Sequence, residues 1–215
     1  MASFVNATTL SYHPLSAIKT FAQYLPEKYR DPAFREKFFR LVQEEIDRIN
    51  TIVRELSDFA KPAPLQLQPV HVATLLEETL SLLSNQCLKQ GVEVRRSFTE
   101  NGLAVQADPR QMKQVLLNLC LNSLEAMSGG GRLEVGTAVV DGRLIVRIAD
   151  TGSGIEPGHQ DKLWDPFFTT KERGMGLGLA IVKGIIERHG GTISLRNRPD
   201  GRGTLAELVL PMSSG

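Results

Sequence analysis

The sequence has little cysteine, few aromatic residues and no excess of charge of either sign. It contains 2 cysteines among 215 residues, aromatic residues make up 6% of the chain, and the formal net charge is +1. Cys87 and Cys120 do not have the spacing of a metal site, and we expect Cys120 to be a small buried side chain. A net charge close to zero gives no electrostatic reason to expect a nucleic acid partner.

Long apolar runs are also missing. No segment approaches the roughly 18 consecutive apolar residues of a membrane-spanning helix. The first twelve residues, MASFVNATTLSY, lack the basic start and apolar centre of a signal peptide. The low cysteine content fits a reducing compartment. We therefore expect a cytoplasmic chain without a membrane segment; the alternative that it is a piece of a membrane-bound parent stays open.

Two amphipathic helices are predicted in the first third of the chain. Apolar residues recur every three or four positions from Phe34 to Phe59, and a second helix is predicted over residues 14–25, followed by a turn at 26–32. Two such helices bury too little surface to be stable alone. We expect residues 1–61 to form a helical hairpin that pairs with a second copy into a four-helix bundle. The alternative is that the hairpin packs against the rest of the same chain.

A proline-punctuated stretch, residues 62–69, is expected to be a linker, because proline cannot continue a helix. The composition changes after it, and residues 70–215 predict a second domain. Its predicted helices cover residues 74–90, 108–127 and 177–189, and its predicted strands cover residues 92–98, 103–107, 132–140, 143–150, 192–197 and 204–211. Asp108-Pro109 is a helix-start signal, and Asp141-Gly142 indicates a hairpin. The pattern predicts an α+β fold, with three main helices on one face of a mixed sheet.

Two asparagines stand four positions apart in the helix that follows Asp108. Asn118 and Asn122 therefore share one face, although their neighbours are mostly apolar. An amide oxygen can ligate a hard divalent cation, and Mg²⁺ takes few protein ligands. The alternative is a pair of core amides that bond to the backbone.

A carboxylate ends the predicted strand RLIVRIAD. Asp150 is followed by Gly152 and Gly154, whose bare backbone would let a flat ring approach a carboxylate that accepts hydrogen bonds from an exocyclic amine. The alternative is an ordinary Asp-Gly turn.

Three alternating glycines lead into the helix at residues 177–189. Gly174, Gly176 and Gly178 would leave backbone amides bare at a helix N-terminus, which is a favourable anion site. Lys171 and the hydroxyl groups just before it would add phosphate contacts. The spacing is that of neither a P-loop nor a dinucleotide-binding fingerprint.

Taken in order, these motifs resemble the ATP-binding domain of sensor histidine kinases. The domain belongs to the superfamily that also contains gyrase, MutL and the Hsp90-type chaperones. The motifs are an Asn-x₃-Asn helix, an Asp-x-Gly-x-Gly turn, a Pro-Phe-Phe element, a Gly-x-Gly-x-Gly helix start and a Gly-Thr pair before the last strand. The resemblance covers residues 70–211, and the segments DPFFTTK and NSLEAM are most similar to the nitrogen-sensor subclass. Residues 15–61 resemble the dimerisation helices of the same kinases.

The resemblance implies ATP and Mg²⁺ as cofactors and gives each matched residue a role. Asn122 would hold Mg²⁺ against the phosphates with Asn118 beside it. Asp150 would accept the adenine amine, with Thr204 supporting it through water. The wall of the adenine pocket would be formed by Gly152, Gly154 and Ile155. A lid would be anchored by Phe167 and Phe168, and the remaining nucleotide contacts would come from Thr169, Thr170, Lys171, Gly174, Gly176, Gly178 and Leu179.

The phosphoacceptor position departs from the family pattern. These kinases carry the acceptor in His-Glu-x-x-Asn-Pro, and Pro14 matches the proline of that pattern. The histidine position is then occupied by Thr9, the acidic position by Leu10 and the asparagine position by His13. His13 lies one helical turn from position 9, so it is the candidate catalytic acceptor.

Three functions remain open from the sequence. The first is a histidine kinase that passes the γ-phosphoryl group of ATP to a histidine and then to the receiver domain of a response regulator. The second is a kinase-derived, ATP-binding dimeric module that does not autophosphorylate because Thr9 stands at the acceptor position. The third is another ATPase of the superfamily; against it, hydrolytic members carry a glutamate base where this chain has Asn118.

Overall fold

The structure is a computed structural model that describes residues 14–60, 64–99, 104–171 and 174–212. The chain divides into two compact units, residues 1–61 and residues 62–215. Within the described ranges, no helix is both long enough and apolar enough to cross a lipid bilayer.

The first unit is a helical hairpin. Helix α1 covers Pro14–Lys28 and helix α2 covers Pro32–Ala60. The two helices pack through aromatic rings: the centroid of Phe21 lies 5.7 Å from that of Phe34 and 6.4 Å from that of Phe38. Asp31 begins α2 by accepting a hydrogen bond from the backbone N–H of Ala33 at 2.9 Å. The aromatic stack explains why Phe34 and Phe38 are only half-exposed in a unit with so little interior.

The turn between these helices is shorter than the prediction of residues 26–32. Helix α1 continues through Pro26 to Lys28. Proline lacks the N–H that would bond to Ala22 four residues earlier, but this loss falls in the last turn of the helix, where few hydrogen bonds remain to be disturbed. The prediction placed the helix end at the proline and was wrong by three residues.

The second unit contains a mixed five-stranded sheet. Its strands are β2 (Val92–Ser97), β4 (Gly131–Val140), β5 (Arg143–Asp150), β6 (Thr192–Asn197) and β7 (Thr204–Pro211). Their order is β2-β4-β5-β7-β6; β2 runs parallel to β4, and the other neighbours are antiparallel. A separate antiparallel pair joins β1 (Gln68–Val70) to β3 (Val105–Ala107). Gln68 and Pro69, in the stretch expected to be a linker, therefore belong to a strand.

Three helices supply the apolar side of the core. They are α3 (Val72–Gln90), α4 (Pro109–Ala126) and α5 (Gly178–Arg188). Leu76, Leu116 and Ile186 are fully buried representatives of the three helices, and they belong to one core cluster with the buried residues of the sheet, such as Val146 and Leu208. The prediction of an α+β fold with a mixed sheet and three main helices is confirmed.

Local chemistry fixes the start of α4, the helix that carries both asparagines. Asp108 Oδ1 accepts hydrogen bonds from the backbone N–H groups of Arg110 and Gln111, at 3.0 and 3.2 Å, and its Oδ2 accepts one from Gln66 at 3.1 Å. Pro109 occupies the first helical turn, where its missing N–H has no partner to lose. The predicted cap is therefore present. Through Gln66, the same carboxylate also joins the segment that precedes α3 to the start of α4.

Candidate functional site

The two asparagines occupy the C-terminal half of α4 and are half-buried. Asn122 Oδ1 accepts a hydrogen bond from the ammonium group of Lys171 at 2.6 Å. The same ammonium group forms a close ion pair with Glu125, one helical turn further along. Lys171, which was expected to contact the phosphates, is thus held against α4 by two oxygen atoms. Glu125 also belongs to this site, although the segment NSLEAM gave no indication of its contact with Lys171.

Asp150 is buried at the end of the central strand β5, with 3% of its surface exposed. Its Oδ1 accepts hydrogen bonds from the backbone N–H of Gly152 at 2.9 Å and from that of Thr204 at 3.1 Å. Among the residues that the structure describes, no group donates a hydrogen bond to its Oδ2. One carboxylate oxygen is therefore fixed by the protein, and the second has acceptor capacity for a further donor.

The turn after Asp150 is held in place by its neighbours. The backbone N–H of Ser153 donates to the carbonyl of Ala126, the last residue of α4, at 3.2 Å. A Cβ on Gly152 would lie 2.6 Å from that same carbonyl oxygen, so only glycine allows the turn to come this close to the helix end. This contact brings the Asp150 turn next to the helix that carries Asn122.

Asn197 clamps the second half of the same turn. Its Oδ1 accepts a hydrogen bond from the Ile155 N–H at 2.6 Å, and its Nδ2 donates to the Ile155 carbonyl at 2.9 Å. Gly154 has a φ of +76°, and a Cβ there would lie 2.9 Å from Asn197 Oδ1. Sequence reasoning missed Asn197, because no local pattern connects it to a residue 42 positions earlier.

Thr204 reaches Asp150 through its backbone, and its neighbour Gly203 makes this possible. Gly203 has a φ of +118°, and a Cβ at this position would overlap the carbonyl oxygen of Asp150. The Gly-Thr pair before the last strand was a usable signal for this contact. The structure thus places Thr204 beside the carboxylate, with the backbone N–H as the group in contact.

Residues 165–171, named the lid segment here because Phe167 and Phe168 were predicted to anchor a lid, are bonded to the glycines that follow them. The Phe167 N–H donates to the Gly176 carbonyl at 3.1 Å, and Phe167 itself has a φ of +68°. Phe168 is half-buried, with its ring at 5.3 Å from the ring of His159 in an edge contact. Thr169 Oγ1 accepts a hydrogen bond from the Lys171 N–H at 3.1 Å, and Thr170 is exposed.

The three alternating glycines differ in how much space the fold leaves for a Cβ atom. Gly176 has a φ of +70°, and a Cβ there would lie 2.5 Å from the Phe168 carbonyl oxygen, so the fold needs glycine at this position. A Cβ on Gly174 would meet the Thr169 hydroxyl at 3.2 Å, which is a tight but adjustable contact. A Cβ on Gly178, at the start of α5, would meet nothing within 4 Å. Packing therefore does not explain glycine at position 178.

The apolar residues between these glycines face inward. Leu177 is fully buried, and Met175 and Leu179 are partly buried against the core cluster. Packing against the core therefore accounts for a large apolar side chain at Met175.

Among the described histidines, His159 contacts Phe168 and His189 joins two helices. His13 and Thr9 lie outside the described residues. His189 is buried, accepts a hydrogen bond from the Asp108 N–H on Nε2 at 3.0 Å, and has Nδ1 at 2.7 Å from the Ile185 carbonyl. Because a ring nitrogen that accepts from a backbone N–H carries no proton, the proton is on Nδ1 and His189 is a structural link between α5 and α4.

The two cysteines offer no nucleophile to the site. Burial raises the pKa of the Cys120 thiol to about 12, and burial is also the main cause that raises the pKa of Cys87. Both thiols are therefore protonated at neutral pH and unreactive. Across the part of the chain that the structure describes, no cluster of three or more His, Cys, Asp or Glu residues is arranged to hold a metal ion.

The C-terminal half of α4, the turn after Asp150 and the segment that carries Lys171 thus meet, although they are far apart in the sequence. Lys171 bonds to Asn122, the turn after Asp150 bonds to Ala126, and Gly176 bonds to the lid segment. The order and content of this arrangement agree with a family model that matches residues 107–214, described as histidine kinase-, DNA gyrase B- and HSP90-like ATPase. The chain belongs to this family.

Curated proteins similar to this chain include sensor histidine kinases. Sensor histidine kinase ZraS of Salmonella typhimurium is 37% identical over 202 residues, which is 93% of this chain and 43% of ZraS. The structure of histidine kinase ThkA in complex with response regulator protein TrrA has a TM-score of 0.80 and 28% identity, and the match covers 94% of this chain and 58% of that one. Full-length ShkA in complex with AMPPNP has a TM-score of 0.74 and 26% identity, over 85% of this chain and 40% of that one.

The chain spans less than half the length of ZraS. The likeness extends over both units, because the match to ThkA covers 94% of the chain. The expectation of a histidine kinase ATP-binding core is therefore confirmed at the level of family and fold.

Proposed function

We propose that the chain is the ATP-binding core of a sensor histidine kinase in a two-component system. In this proposal it transfers the γ-phosphoryl group of ATP to a histidine and then to a response regulator. The observation that carries the proposal is Asp150, a buried carboxylate with one oxygen held by two backbone N–H groups and the other open to a donor. The exocyclic amine of adenine is a donor of this kind, whereas guanine has a carbonyl at the same place.

The walls of the adenine site are proposed to be the clamped turn that follows Asp150. The contacts of Gly152 with α4 and of Ile155 with Asn197 keep this turn in one conformation. A rigid turn loses little conformational entropy when a flat ring binds against it. The match to ShkA, whose structure is a complex with AMPPNP, supports a nucleotide as the ligand.

The phosphates are proposed to lie between the start of α5, Lys171 and α4. The first turn of α5 presents backbone amides, and Gly178 leaves open space above them. Asn122 and Asn118 offer amide oxygens, and the ammonium group at 2.6 Å shows that Asn122 Oδ1 is directed toward a cation. These oxygens fit Mg²⁺, which prefers hard oxygen ligands and shares them with phosphate groups. When bound, this ion would neutralise charge on the phosphates.

The acceptor is proposed to be His13. In the transfer, a nitrogen of a neutral imidazole forms a bond to the γ-phosphorus while the bond from that phosphorus to the bridging oxygen of ADP breaks. The alternative function is a kinase-derived module. With Thr9 at the family's acceptor position, such a chain would bind ATP without phosphorylating itself. In that case it would act through its dimer state or on another protein.

A homodimer through the hairpin and a response regulator partner belong to the same proposal. Helix α2 exposes Phe39, Ile46 and Val53 at intervals of seven residues, together with Leu56. This spacing forms one stripe along the helix and is typical of a helical seam that a second copy covers. The complex of ThkA with its response regulator supports a receiver domain as the downstream partner. A cytoplasmic location, as expected from the cysteine content, is also part of the proposal.

The test is incubation with γ-labelled ATP and Mg²⁺, followed by mapping of the labelled residue. The proposal predicts a label that is stable in base and labile in acid, as expected for phosphohistidine, and that disappears in His13→Ala. Label that survives this substitution would reject His13 as the acceptor. Stoichiometric ATP binding without label would favour the non-phosphorylating alternative, and steady release of phosphate without phosphoprotein would contradict both.

A further inference from the structure

Two side chains of α4 converge on one positively charged atom. Lys171 Nζ lies 2.6 Å from Asn122 Oδ1 and in close contact with Glu125 Oε2. Asn122 and Glu125 are three positions apart, so their oxygens project from one face of the helix. The side chains of Lys171 and Glu125 are 44% and 52% exposed, so solvent and ions can reach them.

This arrangement differs from an ordinary surface ion pair. Lys113 and Glu78 form such a pair between α4 and α3, at 3.0 Å and with 40% and 50% exposure. Within the described ranges, the Lys113 ammonium has that single carboxylate as its partner. Lys171 has a carboxylate and an amide oxygen on the same atom, and the amide belongs to the asparagine that the proposed function assigns to Mg²⁺.

A carboxylate and an amide oxygen that share one cation are also a suitable partial ligand set for Mg²⁺. The ion takes one or two carboxylates in addition to the phosphates of its substrate, and an amide oxygen is an acceptable further ligand. An ammonium group and a divalent ion cannot occupy the same position, because they would repel each other at close range.

We propose that Asn122 and Glu125 form a single cation site. The ammonium group of Lys171 occupies this site before nucleotide binds, and Mg²⁺ occupies it together with ATP. The inference rests on the proposed function and adds Glu125 to it as a metal ligand. It also gives Lys171 two positions. The ammonium group leaves the cation site when the metal binds, and the same group can then contact the phosphates. The lid segment that carries Lys171 is thereby coupled to the metal.

The test measures metal binding and nucleotide binding separately. Mn²⁺, which accepts the same oxygen ligands, is titrated by electron paramagnetic resonance into the full chain saturated with AMPPNP. The affinity for AMPPNP is then measured by calorimetry in EDTA. Glu125→Gln is expected to weaken Mn²⁺ binding about tenfold, while AMPPNP affinity in EDTA does not fall. Glu125→Asp keeps the charge and is expected to lose less Mn²⁺ affinity than Glu125→Gln.

Lys171→Met is expected to change Mn²⁺ affinity in the direction opposite to that of Glu125→Gln. Removal of the competing ammonium group is expected to raise Mn²⁺ affinity several-fold in the chain without nucleotide, and to lower AMPPNP affinity in EDTA, because a phosphate contact is lost. Glu78→Gln and Lys113→Met, the matched control pair, are expected to change neither quantity.

Three outcomes separate the possibilities. If Glu125→Gln binds Mn²⁺ as Glu78→Gln does, Glu125 is not a ligand and the inference is wrong. If Glu125→Gln weakens AMPPNP binding equally with metal and in EDTA, Glu125 only positions Lys171, and the inference is also wrong. If the unaltered chain binds no AMPPNP under either condition, the proposed function fails, and not the inference alone.

Discussion

At the scale of single residues, the proposed adenine contact predicts that Asp150 selects the nucleotide base. Asp150→Asn replaces one carboxylate oxygen with an NH₂ group, which presents a donor either to the adenine amine or to the two backbone N–H groups that now bond to Oδ1. We expect ATP affinity to fall by about 1–3 kcal/mol, the usual cost of an unsatisfied buried polar group. Competition against a fluorescent ATP analogue measures the change.

The matched control for this prediction is Asp141→Asn. Asp141 is exposed in the hairpin between β4 and β5 and has a φ of +50°, a conformation that asparagine also adopts readily. Its ATP affinity should equal that of the unaltered chain. If Asp150→Asn binds ATP as tightly as Asp141→Asn, the role given to Asp150 is wrong.

Asp108 makes stability depend on pH. Burial of this carboxylate raises its pKa, but the hydrogen bonds from the backbone of Gln66, Gln111 and Arg110 outweigh that effect and hold the pKa below its ordinary value of 3.8. The ionised form therefore stabilises the folded state. This stabilisation is complete above the ordinary pKa and is lost as the pH falls through the lowered pKa of the folded protein.

Asp108→Ala should lower the free energy of unfolding by about 1–3 kcal/mol at pH 7, because the cap and the Gln66 contact disappear. The difference from the unaltered chain should shrink when the pH is lowered below about 4. Urea unfolding followed by Trp164, the only tryptophan, reports on the second unit. A difference that stays constant from neutral to acid pH would show that ionisation of Asp108 does not stabilise the folded state.

At the scale of elements, the glycine-rich start of α5 separates structural from functional glycines. Gly176→Ala would force a Cβ to within 2.5 Å of the Phe168 carbonyl oxygen, at a φ of +70°. We expect it to destabilise the second unit by about 1–3 kcal/mol. Gly178→Ala points into open space, so its unfolding free energy should change by less than about 1 kcal/mol.

Gly178→Ala, which should change stability little, is expected to have a clear effect on nucleotide binding. If phosphates lie over the first turn of α5, a methyl group at position 178 interferes with them, and Gly178→Ala should lose ATP affinity at least about tenfold, or 1.4 kcal/mol. Thermal unfolding and ATP titration of the same preparation measure the change in stability and the change in ATP affinity. A well-folded Gly178→Ala chain with unchanged ATP affinity would place the phosphates elsewhere.

Sequence patterns predicted the elements that local chemistry specifies. The Asp108 cap, the hairpin at Asp141-Gly142 and the glycines before α5 follow from residue types that favour one backbone conformation. Contacts between distant segments were not predictable in this way. The clamp of Asn197 on Ile155 joins residues 42 positions apart, and Lys171 reaches Glu125 across 46. Such pairs depend on the packing of the whole unit, which a local pattern does not contain.

Two local errors have the same origin. Proline at position 26 was taken as a helix end, although the tertiary contacts of α1, such as those of Phe21, favour another helical turn. Gln68 and Pro69 were assigned to a linker, although strand β1 forms when they pair with Ala107 and Gln106. In both cases packing outweighed a correct local preference.

At the scale of the whole molecule, the exposed stripe on α2 predicts self-association. Ile46 and Val53 are 48% and 58% exposed, which leaves apolar surface that a second copy would bury. Ile46→Glu should dissociate the dimer, because it would bring two carboxylates into the seam. Thr51→Glu, about 140° around the helix from Ile46, should leave the dimer intact. Sedimentation equilibrium of both variants measures the change, and an Ile46→Glu chain that stays dimeric would refute this seam.

At this scale, we propose that the second unit binds ATP with its adenine at Asp150 and its phosphates between α4, Lys171 and α5. Calorimetric titration of the folded chain with ATP and Mg²⁺, repeated with GTP, tests it most directly. We expect saturation at one ATP per chain and an affinity for GTP that is lower by about tenfold or more. Absence of saturable heat with ATP, or equal affinity for the two nucleotides, would contradict it.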